Sequence, residues 1–530
     1  MKTKIIMVTL VLVLSAFAGS VLAGSEVDDN TLYGLNAGKN SSGDYNTFIG
    51  YYAGYGSSGS DNTFLGAFTG RWNTTGYDNT FVGSYAGLNN LNGYANTFAG
   101  YYAGYANTTG YNNTFIGDYA GRSNTTASGS SFIGVLAGQL NTTGYYNNFL
   151  GYFTGEQNTT GHENTFIGTA AGRWNTTGND NTFIGNYAGY YNTEGSSNTF
   201  LGYYAGAQNT TGYRNTFLGY NAGYSNTTGS NNTFSGYQAG RSNSTASYST
   251  FTGYYAGYRN TTGAANTFSG YEAGYANTTA GYNTFSGYQA GRSNTTGERN
   301  TFAGTSAGYK NTIGKYNTFL GYAAGWANTE GNYNTFFGYA AGYKNATGSS
   351  NLYLGNFAGY ENTTGIGNVF LGYNAGRNET GSGKLYIDNS STTAPLIYGD
   401  FSARTVHING TLTQSSSREY KDNIQDLSKE EAISTLAGLT PVKYVYKSDR
   451  THEHVGFIAE DVPELLATKD RKGLSSLDIV SVLTKVVQEQ QGLIEALRLK
   501  NEKLERELSE KNGQLEQRLL ALERKAINKE

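Results

Sequence analysis

One large apolar residue recurs at a fixed interval through most of the chain. Phe64, Phe81, Phe98, Phe115, Phe132, Phe149 and Phe166 lie 17 residues apart, and the series runs through Phe183, Phe336 and Tyr353 to Phe370. Leu32 and Phe48 extend it backwards in 16-residue steps, giving about 21 copies of a unit that reads roughly NTFIGYYAGYxNTTGYx. Seventeen residues cannot hold a helical hairpin, and the glycines and NTTG of each copy are turn signals. NTFIG has the threonine and aromatic character of a short strand. The unit predicts one coil of a β-solenoid or β-roll, stacked on its neighbours at the inter-strand spacing. About 21 coils at about 4.8 Å make a rod on the order of 100 Å long, which suits a spacer or a display surface.

The tolerance of each position indicates which way it faces. The Phe position accepts little but Phe, Leu or Tyr, whereas the next one holds Ile49, Ala99, Ser235 or Thr252. Phe is therefore the expected core ladder. The position of Ala53 is almost always Ala or Thr and is followed by a glycine such as Gly54, which predicts close backbone approach or a positive φ. One large and one or two small apolar groups per coil make a thin core for a single chain. Burial between chains would thicken it, so a homo-oligomer, and specifically a homotrimer, is expected. The unit also looks like the head repeats of trimeric bacterial surface fibres in style, although their common unit is shorter.

The period ends near residue 385. LYIDNSSTTAPLIYGDFSARTVHINGTLTQ alternates apolar positions such as Leu396 and Tyr398, Val406 and Ile408, and predicts a β neck over 385–415. The last stretch carries heptads: Val480, Val487, Ile494, Asn501, Leu508, Leu515 and Leu522 share one seam and Leu483, Gln490, Leu497 and Leu504 the other, until Lys511 and Arg518 interrupt the second. A parallel coiled coil over 476–530 is expected, with Asn501 setting register.

Composition narrows the class. The chain has 530 residues with 74 Gly, 47 Tyr, 3 Pro, no Cys and a formal net charge of -3. That balance gives no electrostatic case for nucleic acid or an anionic membrane. Lys2 and Lys4 precede an apolar run from Ile5 to Phe17 and the small-residue end Val21-Leu22-Ala23, which predicts a signal peptide over 1–23 and a secreted or cell-surface protein. The run is short for a bilayer span, and ERKAINKE at the end offers no membrane barrel, so no integral anchor is expected after signal cleavage. Without cysteine, disulfides are excluded.

The repeats offer several weaker readings. NTT and NTF fit the N-glycosylation pattern but are also ordinary turn and ladder residues. Calcium binding of the RTX type needs regular aspartates that the copies lack. A threonine face for ordering ice is set against a structural Asn-Thr array. Tyrosines such as those of YYAGY suit stacking on sugars, which makes a glycan or cell-surface receptor an expected partner of the 24–384 rod. No cofactor or metal is expected: His452 and His454 alone do not make a ligand set.

The tail carries the candidate chemistry. In QSSSREYKDNI, at 414–424, Ser416 and Glu419 have capping-box spacing, so a helix start is the plain reading of that stretch. The following residues change it. SSREYKDNI, LTPVKYVYK at 439–447, HVGFIAEDVPEL at 454–465 and LSSLDIVSVLTKVVQEQQ at 474–491 occur in an order that resembles the self-cleaving chaperone domain at the end of phage tail spikes and endosialidases, and also the autoprocessing segment of the myelin regulatory factor. The likeness covers about 416–495, with the chaperone domain proper at 416–475. It implies a small α/β domain and a serine-lysine dyad, Ser416 and Lys421, cutting Ser415–Ser416 in cis. A lysine is a base only when neutral, and a reference pKa of about 10.4 calls for burial beside apolar groups, which folding and assembly would supply. Ser417 stands where many members have Asp, and Glu460 where Gln is common; an aspartate that orients the dyad would be missing here. The alternative is an adhesive surface protein whose tail trimerises without cutting.

Overall fold

In a computed structural model the described residues are 29–413, 415–447 and 449–528; the expected signal peptide at 1–23 lies outside them. The chain divides into two compact units, Met1–Gly410 and Thr411–Glu530.

The first unit is a β-solenoid. Twenty-one three-residue strands, β1 (Thr31–Tyr33) to β21 (Val369–Leu371), repeat once per coil. Each pairs in parallel with the next at identical repeat positions, so that Thr182, Phe183 and Ile184 lie beside Thr199, Phe200 and Leu201. The sheet then continues through β22 (Lys384–Ile387), parallel to β21. The neck strands β23 (Ile397–Asp400) and β24 (Thr405–Ile408) join it antiparallel.

The coil holding Phe183 shows why this sequence closes on itself. Four residues turn the chain through positive φ: Gly185 at 135°, Tyr187 at 59°, Gly189 at 59° and Ser197 at 58°. Two of the four must be glycine. A Cβ on Gly185 would lie 2.5 Å from the Gly202 carbonyl oxygen of the next coil, and one on Gly189 2.5 Å from the Phe183 ring. The tight corner after Ala53 was therefore legible, and it has both anticipated causes, close approach and positive φ.

The Phe ladder is fully buried, and successive rings stack at 4.7–4.9 Å from Phe48 to Phe336. Ala188 and its equivalents complete the apolar column. The expectation that this ladder needs a second chain to cover it is corrected: one chain encloses it. Two features supply what the thin apolar core lacks. Backbone hydrogen bonds between coils run round the whole perimeter, from Thr182 to Asn198, Gly189 to Ala205 and Thr193 to Thr210 on one side, and from Gly185 to Ile167 and Ser197 to Asn179 on the other.

The second feature is a pair of asparagine ladders. Asn181 donates from its backbone N–H and its Nδ2 to Asn164 Oδ1 and from Nδ2 to the Gly195 carbonyl. Asn192 donates from Nδ2 to Asn175 Oδ1 at 2.7 Å and to the Gly195 carbonyl at 2.8 Å. These side chains are buried, and the amides of Asn181 and Asn192 both donate and accept, which makes a buried polar residue tolerable; at the end of the second column Asn345 Oδ1 is left without a partner. The asparagines of NTT and NTF are thus interior residues, and in the folded coils they are closed to a glycosylating enzyme.

The second unit holds α1 (Lys429–Ala437), the hairpin β25 (Val442–Tyr446) and β26 (Asp449–Gly456), and the 52-residue helix α2 (Ser476–Ile527). Ser428 and Ser475 cap the two helices, accepting from the N–H groups of Glu431 and Asp478. Ala432, Val462, Leu466, Val482 and Val486 form its small core. No helix among the described residues is long and apolar enough to cross a membrane.

Candidate functional site

The candidate dyad lies in the exposed segment that precedes α1. Ser417 is extended, with φ -63° and ψ 143°, and its Oγ accepts from the Glu419 N–H, capping a single 3-10 turn over Arg418–Tyr420. The capping-box reading of Ser416 with Glu419 is corrected: the cap is one residue later, and the turn ends at Lys421. A 3-10 turn rises about 2 Å per residue, within reach of a lysine folding back along it. Lys421 Nζ donates to Ser416 Oγ at 2.6 Å.

Ser415, Ser416 and Lys421 are all exposed. The geometry therefore supplies proximity without excluding water. A neutral amine at this distance would accept the hydroxyl proton, which is the arrangement a nucleophile needs.

Each of the other resembling blocks forms a definite element. LTPVKYVYK is β25 with its approach, and HVGFIAEDVPEL is the end of β26 and the start of the loop that follows. That loop is pinned by Arg471, at φ 51°, which donates to the carbonyls of Glu460 at 2.6 Å and Val462 at 2.7 Å. Thr468 donates to Asp470, holding that carboxyl below its ordinary range, and accepts from the Gly473 N–H. LSSLDIVSVLTKVVQEQQ opens α2 and supplies Val482 and Val486 to the core. His454 stacks on Tyr444, and among the described residues no three side chains come together to hold a metal ion.

The resemblance implies a small α/β domain, and the β25–β26 hairpin is largely exposed. Val445, Tyr446 and Val455 face solvent, Val455 with 73% of its surface accessible. A lone two-stranded hairpin is marginal in water. The expected seam residues of α2, among them Val480, Val487, Ile494 and Leu497, are exposed too, while Val482 and Val486 on another face are buried within the chain.

Along the chain, a solenoid of 17-residue coils is followed by a small unit that carries an exposed serine-lysine pair. Residues 416–469 match the family described as the chaperone of endosialidase, and the match begins at Ser416. The C-terminal unit thus carries a segment similar to that family, preceded by a β-solenoid repeat region. No curated protein and no solved structure matches the chain.

Proposed function

We propose that the protein is a secreted, trimeric, adhesin-like fibre whose C-terminal chaperone promotes assembly and then cuts itself off before Ser416. The observation that carries the reading is the 2.6 Å contact between Lys421 Nζ and Ser416 Oγ at the first residue of the matched segment. The exposed hairpin and the α2 seam support association, because three copies would bury both. Three α2 helices forming a parallel coiled coil would hold the copies in register through Asn501.

The chemistry follows from the position of the nucleophile. Lys421, once neutral, takes the Ser416 hydroxyl proton as Oγ attacks the Ser415 carbonyl carbon. The Ser415–Ser416 C–N bond breaks, the proton passes to the departing Ser416 nitrogen, and an ester joins Ser415 to Ser416 Oγ. Water hydrolyses that ester, releasing the Ser415 carboxylate and the free Ser416 hydroxyl. Packing of neighbouring copies over the exposed pair would favour the neutral amine, so cutting would follow assembly.

A denaturing gel of the full chain tests this. A separate 416–530 fragment that disappears in Ser416→Ala and in Lys421→Ala is the expected result; an uncut chain in an assembled trimer refutes it. Ser417 in place of the usual aspartate favours a second reading, in which the tail trimerises an adhesive protein without cutting, and the uncut trimer is what that reading expects.

A further inference from the structure

The solenoid carries a second aromatic column outside its core, at the position three residues after the core Phe, in the coils from Phe200 to Phe285. Tyr203, Tyr220, Tyr237, Tyr254, Tyr271 and Tyr288 stack in sequence with centroids 5.0–5.4 Å apart and planes within 11° of parallel. Each inner ring covers its neighbours' faces, leaving edges and hydroxyls to solvent. A sugar cannot stack on such rings, so the expectation of stacking along the YYAGY tyrosines holds only where a ring face is open.

The column breaks at Thr305 and resumes with Tyr322 and Tyr339, whose centroids are 4.9 Å apart. Tyr288 and Tyr322 are 50% and 51% accessible, against 40–42% for Tyr203 to Tyr271. At the other one-coil gap, Asn356 between Tyr339 and Tyr373, the ring of Phe357 from the next column stands edge-on to both tyrosines, and Tyr187 stands likewise beside Tyr203. At Thr305 that neighbouring position is Ser306, which has no ring. Two coil spacings, about 10 Å, therefore separate two open tyrosine faces, and one six-membered ring fits between them.

A groove of about 260 Å³ adjoins this slot, lined by Ser306, Tyr322, Ala323, Trp326, Tyr339 and Ala340 among others, with no charged side chain. The lining complements an uncharged ligand. Its hydroxyls, with Thr305 at the base of the slot, would remain without partners beneath a purely apolar ring, whereas a sugar offers C–H faces to the tyrosines and hydroxyls to the rim.

We propose that the break in the tyrosine column at Thr305 is a binding site for a neutral pyranose of a glycan, held between Tyr288 and Tyr322 and continued along the groove past Trp326. The proposal rests on the receptor reading of the rod and gives it a place. The test titrates the full-length protein with neutral hexasaccharides of glucose, mannose, galactose and N-acetylglucosamine, and with phenol as an aromatic probe, followed by calorimetry and tryptophan fluorescence. Thr305→Tyr restores the missing ring and fills the slot without disturbing the core; Tyr322→Ala removes one wall.

At least one saccharide is expected to bind, and Thr305→Tyr to weaken it about tenfold or more with an unchanged melting curve. Failure of every saccharide at about 10 mM overturns the proposal, as does binding of phenol alone. Saccharide binding that survives Thr305→Tyr also overturns it, but leaves a receptor function standing elsewhere on the rod. None of these outcomes bears on cleavage before Ser416, which the gel reads separately.

Discussion

Replacing Asn192 by aspartate exchanges one NH2 for one oxygen inside an asparagine ladder. The side chain is buried. Its Oδ1 accepts from Asn209 Nδ2 at 2.7 Å, and the new carboxylate preserves that bond. Its Nδ2 donates to Asn175 Oδ1 and to the Gly195 carbonyl, and both of those are lost. Gly195 keeps a donor in Asn181; Asn175 Oδ1 is left facing a carboxylate. Orphaning a buried acceptor costs about 1–3 kcal/mol. A buried carboxylate that has one amide donor and faces a second acceptor titrates two or three units high, and at about 1.4 kcal/mol per unit that adds about 3–4 kcal/mol at neutral pH.

The pH dependence separates this account from simple loss of packing. The folded-state pKa of the introduced carboxyl lies above its unfolded value of about 3.9, so between the two the native state binds more protons and stability falls as pH rises. Below about pH 3.9 the acid is neutral in both states, and its O–H can donate to Asn175 Oδ1, leaving a deficit of about 1 kcal/mol. Coils unfold locally in repeat proteins, so the assay is hydrogen exchange of peptides from coils on either side of Asn192, at about pH 3.5 and about pH 7.5, bracketing the expected titration. The references are wild type and Thr211→Asp, at an exposed position. A deficit about 3 kcal/mol larger at the higher pH is expected. Equal deficits at both pH values, or a Thr211→Asp effect of the same size, would refute the ladder's role.

Three further outcomes are expected. Tyr353 occupies the Phe column fully buried, its hydroxyl has no hydrogen-bond partner, and burial pushes it above the ordinary phenol range; Tyr353→Phe should stabilise by about 1–2 kcal/mol in thermal melting. Gly206 sits at φ 57° with the Phe200 ring 2.5 Å from an added Cβ, whereas Gly56 has open space; Gly206→Ala should cost about 2–4 kcal/mol in urea unfolding and Gly56→Ala about 0.5 kcal/mol or less. Leu497→Lys places a charge in the α2 seam and should shift sedimentation from trimer towards monomer without changing the solenoid's circular dichroism.

The period, the parallel stacking and the Phe column could be read from spacing alone because a solenoid repeats its constraints at each coil. The asparagine ladders could not: Asn before Thr in NTF and NTT is equally good turn chemistry, and only neighbouring coils in register show that the amides meet. The thin-core argument failed for the same reason, since it counted apolar side chains and omitted the amides. At the candidate dyad, the family resemblance, with its serine and a lysine five positions on, implied Ser416 and Lys421, and the two side chains meet. The capping-box reading failed because Ser417 competes for the same turn, and three consecutive serines offer no pattern to decide between them.

That same repetition poses a folding problem. Slipping one solenoid segment by a full 17-residue unit leaves Phe opposite Phe and Asn opposite Asn, so nearly every contact survives the error. A few ties resist it: Arg173 with Glu156 at 2.5 Å joins adjacent coils, as do Lys315 with Glu298 and Lys344 with Glu361. These last are half-exposed pairs worth about 1 kcal/mol or less each, too little to penalise slippage strongly along a whole rod. The landscape has a small gap between correct and slipped registers, and the spacing itself changes at the N-terminal end, where Leu32 and Phe48 keep 16-residue steps, while Tyr353 marks the column just before the neck. A C-terminal unit whose copies associate through non-repetitive sequence would therefore set register at the end where the repeats stop. On the proposed function, its removal after assembly costs the rod nothing, because the coils enclose their own core without it.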